Sequence, residues 1–542
     1  MNYLFFLIFG VFSLNLYAQN FADNDLGKVI TEKLKENIEK ERIRKLSDKE
    51  KVKAKATKGE NKNKEEYKDY ENMTELLLEL FSQPDFKDTK VSFSLISNGK
   101  VLISVNKDLK LNQASVSKLV VTLAALKYLG LNYRFKTDFY INEKIDKDGV
   151  LNGDLIIKGY GDPNLLSEDI YKIIDVLKLT GLREIKGNVI VDLSYFDKKY
   201  SIYELKEEDD SRAYAAFNNA LPLNYNSFKF SLRPYLDTEK KENDKVKVYV
   251  SYPSSLVVRI KNNLVLSRRY SKVKAITKEH KYHNTMLELT GRVNKKTDLL
   301  VFYRKIQYPD YYFGKIFYKM LKYSGIKVKG RLKIKYEDFL KDKNDIRLLF
   351  AYKTKYLLDT LIIMNRYSNN FIAEQLLKII GAEYLKTNDL QKKGSWEAGI
   401  KAVKEMLEKD VGLTGDYVYT NGSGLNDANF FSSYQIATLL DYIKNNFDYK
   451  WYMLSTLPKI GISGTLRRYC LSEECKGKVV AKTGSLRSTV ALAGYIKAQK
   501  NVYSFALAVN FKRSKKKFRK ILNLAKRLMT DMTELFDKKE IF

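Results

Sequence analysis

Three short motifs occur in order along the chain, and the intervals between them constrain its fold more than any other feature. They are Ser115-Val116-Ser117-Lys118, Ser368-Asn369-Asn370 and Lys482-Thr483-Gly484. Each pattern alone arises by chance in a lysine-rich chain, but the ordered set combines a nucleophile, a base and two further polar elements. Ser368 lies 250 positions after Lys118. A single domain that holds all three motifs must therefore accommodate a large insertion between the first two.

Helical patterns flank the interval between the first two motifs, and strand patterns fill it. Residues 111–130 predict a strongly apolar helix, whereas residues 131–345 contain short strands separated by turns. Helical patterns return at about residues 348–381 and 396–409. They are followed by strand patterns around the third motif and by a basic amphipathic helix from about residue 514. This order predicts an α/β (α+β) fold in which a β-rich insertion interrupts one domain.

The N-terminal region differs in composition from the rest of the chain. Residues 1–18 have no charged side chain and are mostly apolar, which predicts a signal peptide; a retained N-terminal anchor is the alternative. The residues after it are highly charged and predict a flexible tether. The predicted organisation is a signal peptide at 1–18, a tether at 19–72, a catalytic domain at 73–130 and 346–542, and inserted β-rich domains at 131–345.

Two local features predict structure within the chain, namely a hairpin turn and a small disulfide loop. Alternating apolar runs flank Asn98-Gly99, a dipeptide typical of two-residue β-hairpin turns. Cys470 and Cys475 are the chain's two cysteines and lie in a polar loop. In an exported protein they can close a small disulfide, and two free thiols are the alternative.

The scarcity of histidine limits the chemistry that the chain can perform. His280 and His283 are the two histidines, and both lie in a lysine-rich stretch typical of a solvated loop. A Ser-His-Asp triad is therefore disfavoured. Ser115 begins a predicted helix, whose free N–H groups stabilise developing negative charge, and Lys118 lies one turn further on the same face. A buried lysine with a lowered pKa, with Lys482 as a nearby positive charge, is then the available base.

The second and third motifs suggest how a peptide is held. Ser368 and Asn370 lie in a break between two helical patterns, where Ser368 can relay a proton to a leaving amine and Asn370 can bind an amide. The third motif lies on a predicted strand, whose edge can pair with an extended peptide. Lys482 and Thr483 can hold a carboxylate there, and Gly484 keeps the strand edge unobstructed. The N–H groups of Ser485 and Ser115 can form an oxyanion hole.

With these motifs, the chain resembles the low-molecular-weight class C penicillin-binding proteins, which are serine-type D-alanyl-D-alanine carboxypeptidases and endopeptidases. The resemblance covers about residues 75–535. It implies a penicillin-binding, β-lactamase-like transpeptidase domain with a large insertion between the first two motifs. Further segments similar to that family are Gly159-Tyr160-Gly161-Asp162-Pro163, Ser194-Tyr195-Phe196-Asp197, Pro222-Leu223-Asn224-Tyr225-Asn226, Asn421-Gly422-Ser423-Gly424-Leu425 and Gly464-Thr465-Leu466-Arg467.

The resemblance also implies a function. The expected substrates are peptidoglycan stem peptides, cleaved through a serine acyl-enzyme without metal or cofactor, and β-lactams are expected to acylate the same serine. A serine β-lactamase and a non-catalytic wall-binding protein are the alternatives, although a compact β-lactamase has no room for the 250-residue interval. By motif, Ser115 resembles the nucleophile, Lys118 the general base, Ser368 and Asn370 the second active-site element, and Lys482 and Thr483 the carboxylate-recognition pair.

The net charge of +32 concentrates in the later parts of the chain, since residues 221–340 carry +17 and residues 341–542 carry +15. Export and the lack of a nucleic-acid-binding motif argue against a nucleic-acid partner. We expect a protein of the periplasm or cell envelope. Lysine-rich solvated faces account for this charge, and attraction to an anionic wall polymer or a membrane surface, with peripheral membrane association, is the functional alternative.

Overall fold

A computed structural model describes residues 77–78, 88–205, 210–235, 245–341, 345–388, 393–426, 429–498 and 501–538. The expected signal peptide and the expected tether lie outside these residues. The described residues belong to one compact unit, Tyr70–Phe542. Among them, no helix combines the length and the apolar character that a membrane span needs.

The strands and helices form the mixed α/β fold that the sequence predicts. The strands are β1 (Thr89–Ser97), β2 (Lys100–Val105), β3 (Leu111–Asn112), β4 (Arg134–Ile141), β5 (Val150–Leu151), β6 (Leu155–Gly159), β7 (Glu184–Ile185), β8 (Val189–Asp192), β9 (Ser227–Tyr235), β10 (Lys245–Val250), β11 (Val258–Ser267), β12 (Lys272–His280), β13 (Asn284–Asn294), β14 (Leu300–Lys305), β15 (Lys327–Val328), β16 (Leu332–Lys335), β17 (Arg347–Tyr356), β18 (Phe430–Phe431), β19 (Val479–Leu486), β20 (Thr489–Lys497) and β21 (Val502–Phe511). The helices are α1 (Lys118–Leu129), α2 (Ser167–Leu179), α3 (Pro309–Tyr323), α4 (Leu357–Tyr367), α5 (Asn370–Thr387), α6 (Trp396–Lys409), α7 (Ser433–Asn445), α8 (Phe447–Thr456) and α9 (Lys515–Lys538).

A five-stranded antiparallel sheet joins the beginning and the end of the described chain, in the order β19-β20-β21-β1-β2. Its strands β1, β20 and β21 are buried on both faces. Along β20, Val490 and Leu492 pack in the cluster that contains residues of α9. Ala491 and Ala493, which point to the opposite face, pack in the cluster that contains α1 and α7. The small alanine side chains let the helices on that face lie close to the sheet.

The predicted hairpin at Asn98-Gly99 is confirmed. Strands β1 and β2 pair directly on either side of it, with Ser97 opposite Lys100. Asn98 and Gly99 both have positive φ, 48° and 79°, as a two-residue turn of type I′ requires. The buried Asp441 carboxylate accepts a 2.7 Å hydrogen bond from the Gly99 N–H, which attaches the turn to α7.

Between α1 and α4, the chain is rich in strands, as the sequence predicts. It forms the sheets β16-β8-β6-β4-β17, β10-β9-β14, β11-β13-β12 and β15-β7-β5. Two helices, α2 and α3, accompany them. The boundaries assigned to the inserted domains stay predictions.

The helix expected from about residue 348 is wrong over its first nine residues. Residues Arg347–Tyr356 form β17, which pairs antiparallel with β4, and the helix begins at Leu357. The stretch contains several apolar and aromatic residues at which strand and helix patterns are hard to distinguish, and pairing with β4 decides between them.

The structure joins Cys470 and Cys475 by a disulfide, which resolves the choice that the sequence leaves open. The bridge closes the loop that precedes β19. Cys475 is fully buried in the cluster between the central sheet and α9.

Candidate active site

The first motif forms a tight turn that leads directly into α1. Residues Ala114–Ser117 form a 3₁₀ turn, so Ser115 lies just before the α-helix rather than in its first turn. Ala114 has a positive φ of 46°, and the Asn112 side chain accepts a 2.7 Å hydrogen bond from its N–H. Ser115 is partly exposed. The turn therefore presents the serine hydroxyl at a fixed position beside the helix.

Lys118 meets the Ser115 hydroxyl beneath this turn. Its Nζ lies 2.9 Å from Ser115 Oγ, 2.8 Å from Asn370 Oδ1 and 2.6 Å from the Ser423 carbonyl oxygen. Both carbonyl oxygens can only accept hydrogen bonds. A neutral amine donates its two protons to them, and its lone pair is then left for the Ser115 O–H. This arrangement is the one that a base for Ser115 requires.

Burial makes the neutral form of Lys118 accessible. The side chain is fully buried, and loss of hydration lowers its pKa from 10.5 to about 7, against the opposing effect of the Glu374 carboxylate. The sequence predicts that the charge of Lys482 helps to lower the pKa of Lys118, and the structure does not support this. Burial lowers the pKa of Lys118. At Lys482, burial is the larger cause of the lowered pKa, and the charge of Lys118 is the second.

The second motif occupies the break between α4 and α5. Ser368 ends α4 in the left-handed region, with φ 57°, and Asn369 caps α5 by accepting a hydrogen bond from Ile372 N–H. The break turns Ser368 towards the third motif, where Lys482 Nζ donates to Ser368 Oγ at 2.9 Å. Asn370, the first residue of α5, faces Lys118 instead. Two residues of one three-residue motif thus bind the two buried lysines.

The third motif lies on β19, at the edge of the central sheet. A Cβ atom on Gly484 would lie 2.5 Å from the Gln113 carbonyl oxygen, so glycine lets this strand pack against the turn that carries Ser115. Thr483 Oγ1 lies 2.8 Å from Thr465 Oγ1. Ser485 is the next residue and is exposed. The close packing brings the strand edge to the serine turn.

A cleft of about 1030 Å³ opens over these groups. The predicted site residues Ser115, Ser368, Asn370 and Ser485 line it. Lys118, Lys482 and Thr483 are buried beneath. All eight predicted residues are therefore brought together, while the roles assigned to them stay predictions. The described residues contain no cluster of three or more His, Cys, Asp and Glu side chains that could hold a metal ion.

Sequence reasoning missed the group that supports Lys118 from behind. The buried Glu374 carboxylate accepts hydrogen bonds from the Ser423 N–H at 2.8 Å, the Gly422 N–H at 3.1 Å, Trp396 Nε1 at 2.9 Å and the Tyr203 hydroxyl at 2.5 Å. It fixes the segment whose Ser423 carbonyl binds Lys118. Two features of the sequence point to this group: the segment Asn421–Leu425 resembles the family, and Glu374 lies one helical turn after Asn370.

The comparison with known protein families agrees with the family that the motifs indicate. The model of the D-Ala-D-Ala carboxypeptidase 3 (S13) family matches residues 74–528, more than half of the chain. The chain belongs to the D-Ala-D-Ala carboxypeptidase 3 (S13) family. Membership of the S13 family makes it a serine-type carboxypeptidase, as the motifs predict.

Two curated relatives of the S13 chain are themselves carboxypeptidases. D-alanyl-D-alanine carboxypeptidase DacB of Haemophilus influenzae is 25% identical over 407 residues, which cover 74% of this chain and 80% of that protein. A D-alanyl-D-alanine carboxypeptidase of Actinomadura sp. is 26% identical over 422 residues, covering 76% of each chain.

Solved structures confirm the expected penicillin-binding fold. The crystal structure of penicillin binding protein 4 (dacB) from Haemophilus influenzae matches with a TM-score of 0.71 and 23% identity, over 83% of this chain and 97% of that one. The same protein complexed with a novel β-lactam matches with a TM-score of 0.66, 23% identity and coverage of 83% and 96%.

We expect acylation to follow the protonation of Lys118. The second-order rate of acylation should rise with pH and level off above about pH 7, because the neutral amine accepts the Ser115 proton. The measurement is the acylation rate by a penicillin between about pH 5 and 9. The control is the double variant His280→Gln/His283→Gln, which replaces both histidines of the chain and should keep the profile. A rate independent of pH across this range contradicts the role of Lys118.

Glu374 should influence both the position and the pKa of Lys118. Glu374→Gln loses acceptors for the segment that carries Ser423, so we expect about a tenfold lower acylation rate. It also removes the charge that raises the pKa of Lys118, so the rise in rate should move to lower pH. The matched control is Asp441→Asn, another buried acid, which holds the β1–β2 turn. An unshifted profile in Glu374→Gln, or an equal shift in the control, contradicts the prediction.

Proposed function

We propose that the chain removes the terminal D-Ala from peptidoglycan stem peptides through an acyl-enzyme on Ser115. The observation that carries this proposal is the fully buried Lys118 amine at 2.9 Å from Ser115 Oγ, with two carbonyl acceptors for its protons. Membership of the S13 family and the names of the curated relatives support the substrate.

In the acylation step, Ser115 Oγ attacks the carbonyl carbon between the two D-Ala residues, and Lys118 Nζ takes the hydroxyl proton. The N–H groups of Ser115 and Ser485 stabilise the oxyanion. The C–N bond then breaks, and the proton held by Lys118 passes to the leaving amine through the Ser368 hydroxyl, which lies 2.9 Å from Lys482 Nζ and gains one proton as it gives one. Lys118 is then neutral again. The terminal carboxylate binds at Thr483 and Lys482, where positive charge and a hydroxyl favour it.

In deacylation, water attacks the ester carbonyl carbon while Lys118 takes a proton from it. The ester C–O bond then breaks, and Lys118 returns that proton to Ser115 Oγ, which regenerates the hydroxyl. A β-lactam offers the same serine an amide in a ring, so its leaving nitrogen stays attached after acylation. The β-lactam complex of the Haemophilus influenzae protein supports this part of the proposal. Cleavage of a crosslink is the same reaction with a diamino acid as the leaving amine.

Labelling with a fluorescent penicillin tests the proposal directly. We expect one covalent adduct, mapped by peptide mass spectrometry to Ser115, and release of D-Ala from a diacyl-Lys-D-Ala-D-Ala peptide. Ser115→Ala should abolish both, whereas Ser488→Ala, which changes another serine of the cleft, should retain both. An adduct elsewhere, or D-Ala release by Ser115→Ala, contradicts the mechanism. Rapid hydrolysis of penicillin indicates a β-lactamase, and neither adduct nor release indicates a wall-binding protein.

We further propose that the chain is exported to the periplasm or cell envelope, with residues 1–18 as its signal peptide. The disulfide between Cys470 and Cys475 supports export, because disulfides persist in oxidising compartments. There, the positive charge of residues 221–340 and 341–542 would attract an anionic wall polymer or a membrane surface.

Cell fractionation tests the location. We expect the mature chain in the envelope fraction, with an N-terminus at Gln19, and its release from that fraction by salt, because exposed charges are screened. Mass spectrometry of the N-terminal peptide and immunoblotting of salt washes provide the measurement. An intact Met1 in the cytosol contradicts export, and retention at high salt contradicts the electrostatic association.

A further inference from the structure

One wall of the active-site cleft is strongly positive. Four cationic side chains line it: Arg487, Arg513, Lys515 and Arg519. All four are exposed. Among the residues that the structure describes, the lining of the cleft includes no aspartate or glutamate. Lys118 and Lys482 are buried and bind partners within the site, so they do not belong to this wall. The wall is therefore a separate source of positive charge.

The fold brings these cations together from two segments of the chain. Arg487 and Ser488 form the two-residue turn between β19 and β20, where Leu486 pairs with Thr489. The Phe511 N–H at the end of β21 donates to the Ser488 carbonyl oxygen at 3.0 Å. The chain therefore leaves β21 next to this turn, and α9 begins beside the cleft.

The apolar face of α9 fixes the direction in which its cations point. Ile521, Ala525 and Leu528 are buried in the cluster with the central sheet. Lys515 and Arg519 are four residues apart, so they lie on one face of the helix. That face borders the cleft. The positive wall is thus held by the core rather than by a loop alone.

The direction of β19 indicates which part of a substrate meets this wall. A peptide that pairs antiparallel with β19 places its C-terminal carboxylate near Thr483 and its scissile carbonyl near Ser485. Successive residues of a strand advance about 3.4 Å. The residues that precede the two D-Ala residues then extend past Arg487 towards the start of α9. In a stem peptide these are a diamino acid and a γ-linked glutamate, both of which can carry a carboxylate.

We propose that the wall formed by Arg487, Arg513, Lys515 and Arg519 binds a carboxylate of the stem peptide on the acyl side of the scissile bond. The proposal rests on the proposed function and adds a second anion subsite to the one for the terminal carboxylate. Arginine suits it because its planar guanidinium donates two parallel hydrogen bonds to a carboxylate. The carboxylate is either the α-carboxylate of the γ-linked glutamate or the second carboxylate of a diaminopimelate.

Matched synthetic peptides distinguish these two sources. The first pair contains lysine as the diamino acid and differs in the glutamate α-carboxyl group, which is free in one peptide and a carboxamide in the other. The second pair holds the carboxamide constant and compares diaminopimelate with lysine. The measurement is kcat/KM for release of D-Ala. We expect about a tenfold preference for the charged member of one pair, which identifies the source.

The variant Arg513→Gln/Arg519→Gln should reduce this preference to near unity. It should leave unchanged both the acylation by benzylpenicillin and the release of D-Ala from diacyl-Lys-D-Ala-D-Ala. The control is Lys516→Gln/Lys520→Gln, which also removes two positive charges, here from positions of α9 that do not line the cleft. It should retain the preference.

Three results would overturn the proposal: no preference in either pair, a preference that survives in Arg513→Gln/Arg519→Gln, or an equal loss in the control variant. The last result would mean that the general charge of α9 attracts anionic substrates. A wild-type chain that releases D-Ala from none of the peptides and forms no penicillin adduct overturns the proposed function itself. That outcome is distinct, because the first three are measured on an active enzyme.

Discussion

Two lysine amines without access to water determine how this active site is built. Lys118 and Lys482 are each 0% exposed, and a buried ammonium group loses its hydration. At Lys118 this lowers the pKa from 10.5 to about 7. Below pH 7, protonated Lys118 therefore costs the folded state about 5 kcal/mol. The cost diminishes as the pH rises from about 7 to 10.5, because the unfolded chain binds more protons over that range.

The packing around the serine turn keeps these amines at their partners. Two glycines contact the turn from different parts of the chain. A Cβ atom on Gly424 would lie 1.8 Å from the Ala114 carbonyl oxygen, and one on Gly484 would lie 2.5 Å from the Gln113 carbonyl oxygen. Neither backbone oxygen can move away cheaply, because the turn is held by Asn112 and continues into α1. Only glycine fits at these two contacts. The same contacts set the distance between the Ser115 hydroxyl and the edge of β19.

The parts of this architecture that depend on local chemistry were predictable from the sequence. The hairpin at Asn98-Gly99 and the helix Trp396–Lys409 follow from turn chemistry and periodicity. The break at Ser368 follows from polar residues between two apolar runs. The strand Arg347–Tyr356 was missed, because its pairing with β4 is a tertiary contact. The Ser423 carbonyl was missed for a related reason: a backbone oxygen has no side-chain signature, and its partner lies 305 residues away.

The insertion takes part in the active site as well as interrupting the catalytic sequence. Tyr203 donates a 2.5 Å hydrogen bond to Glu374, and that carboxylate fixes the segment whose Ser423 carbonyl binds Lys118. The Tyr214 backbone oxygen lies 3.5 Å from Asn370 Nδ2, and the residue lines the cleft. Removal of the insertion would leave Glu374 without one donor and Asn370 without a neighbour. The 250 positions between the first two motifs therefore contain part of the support that holds Lys118 in place.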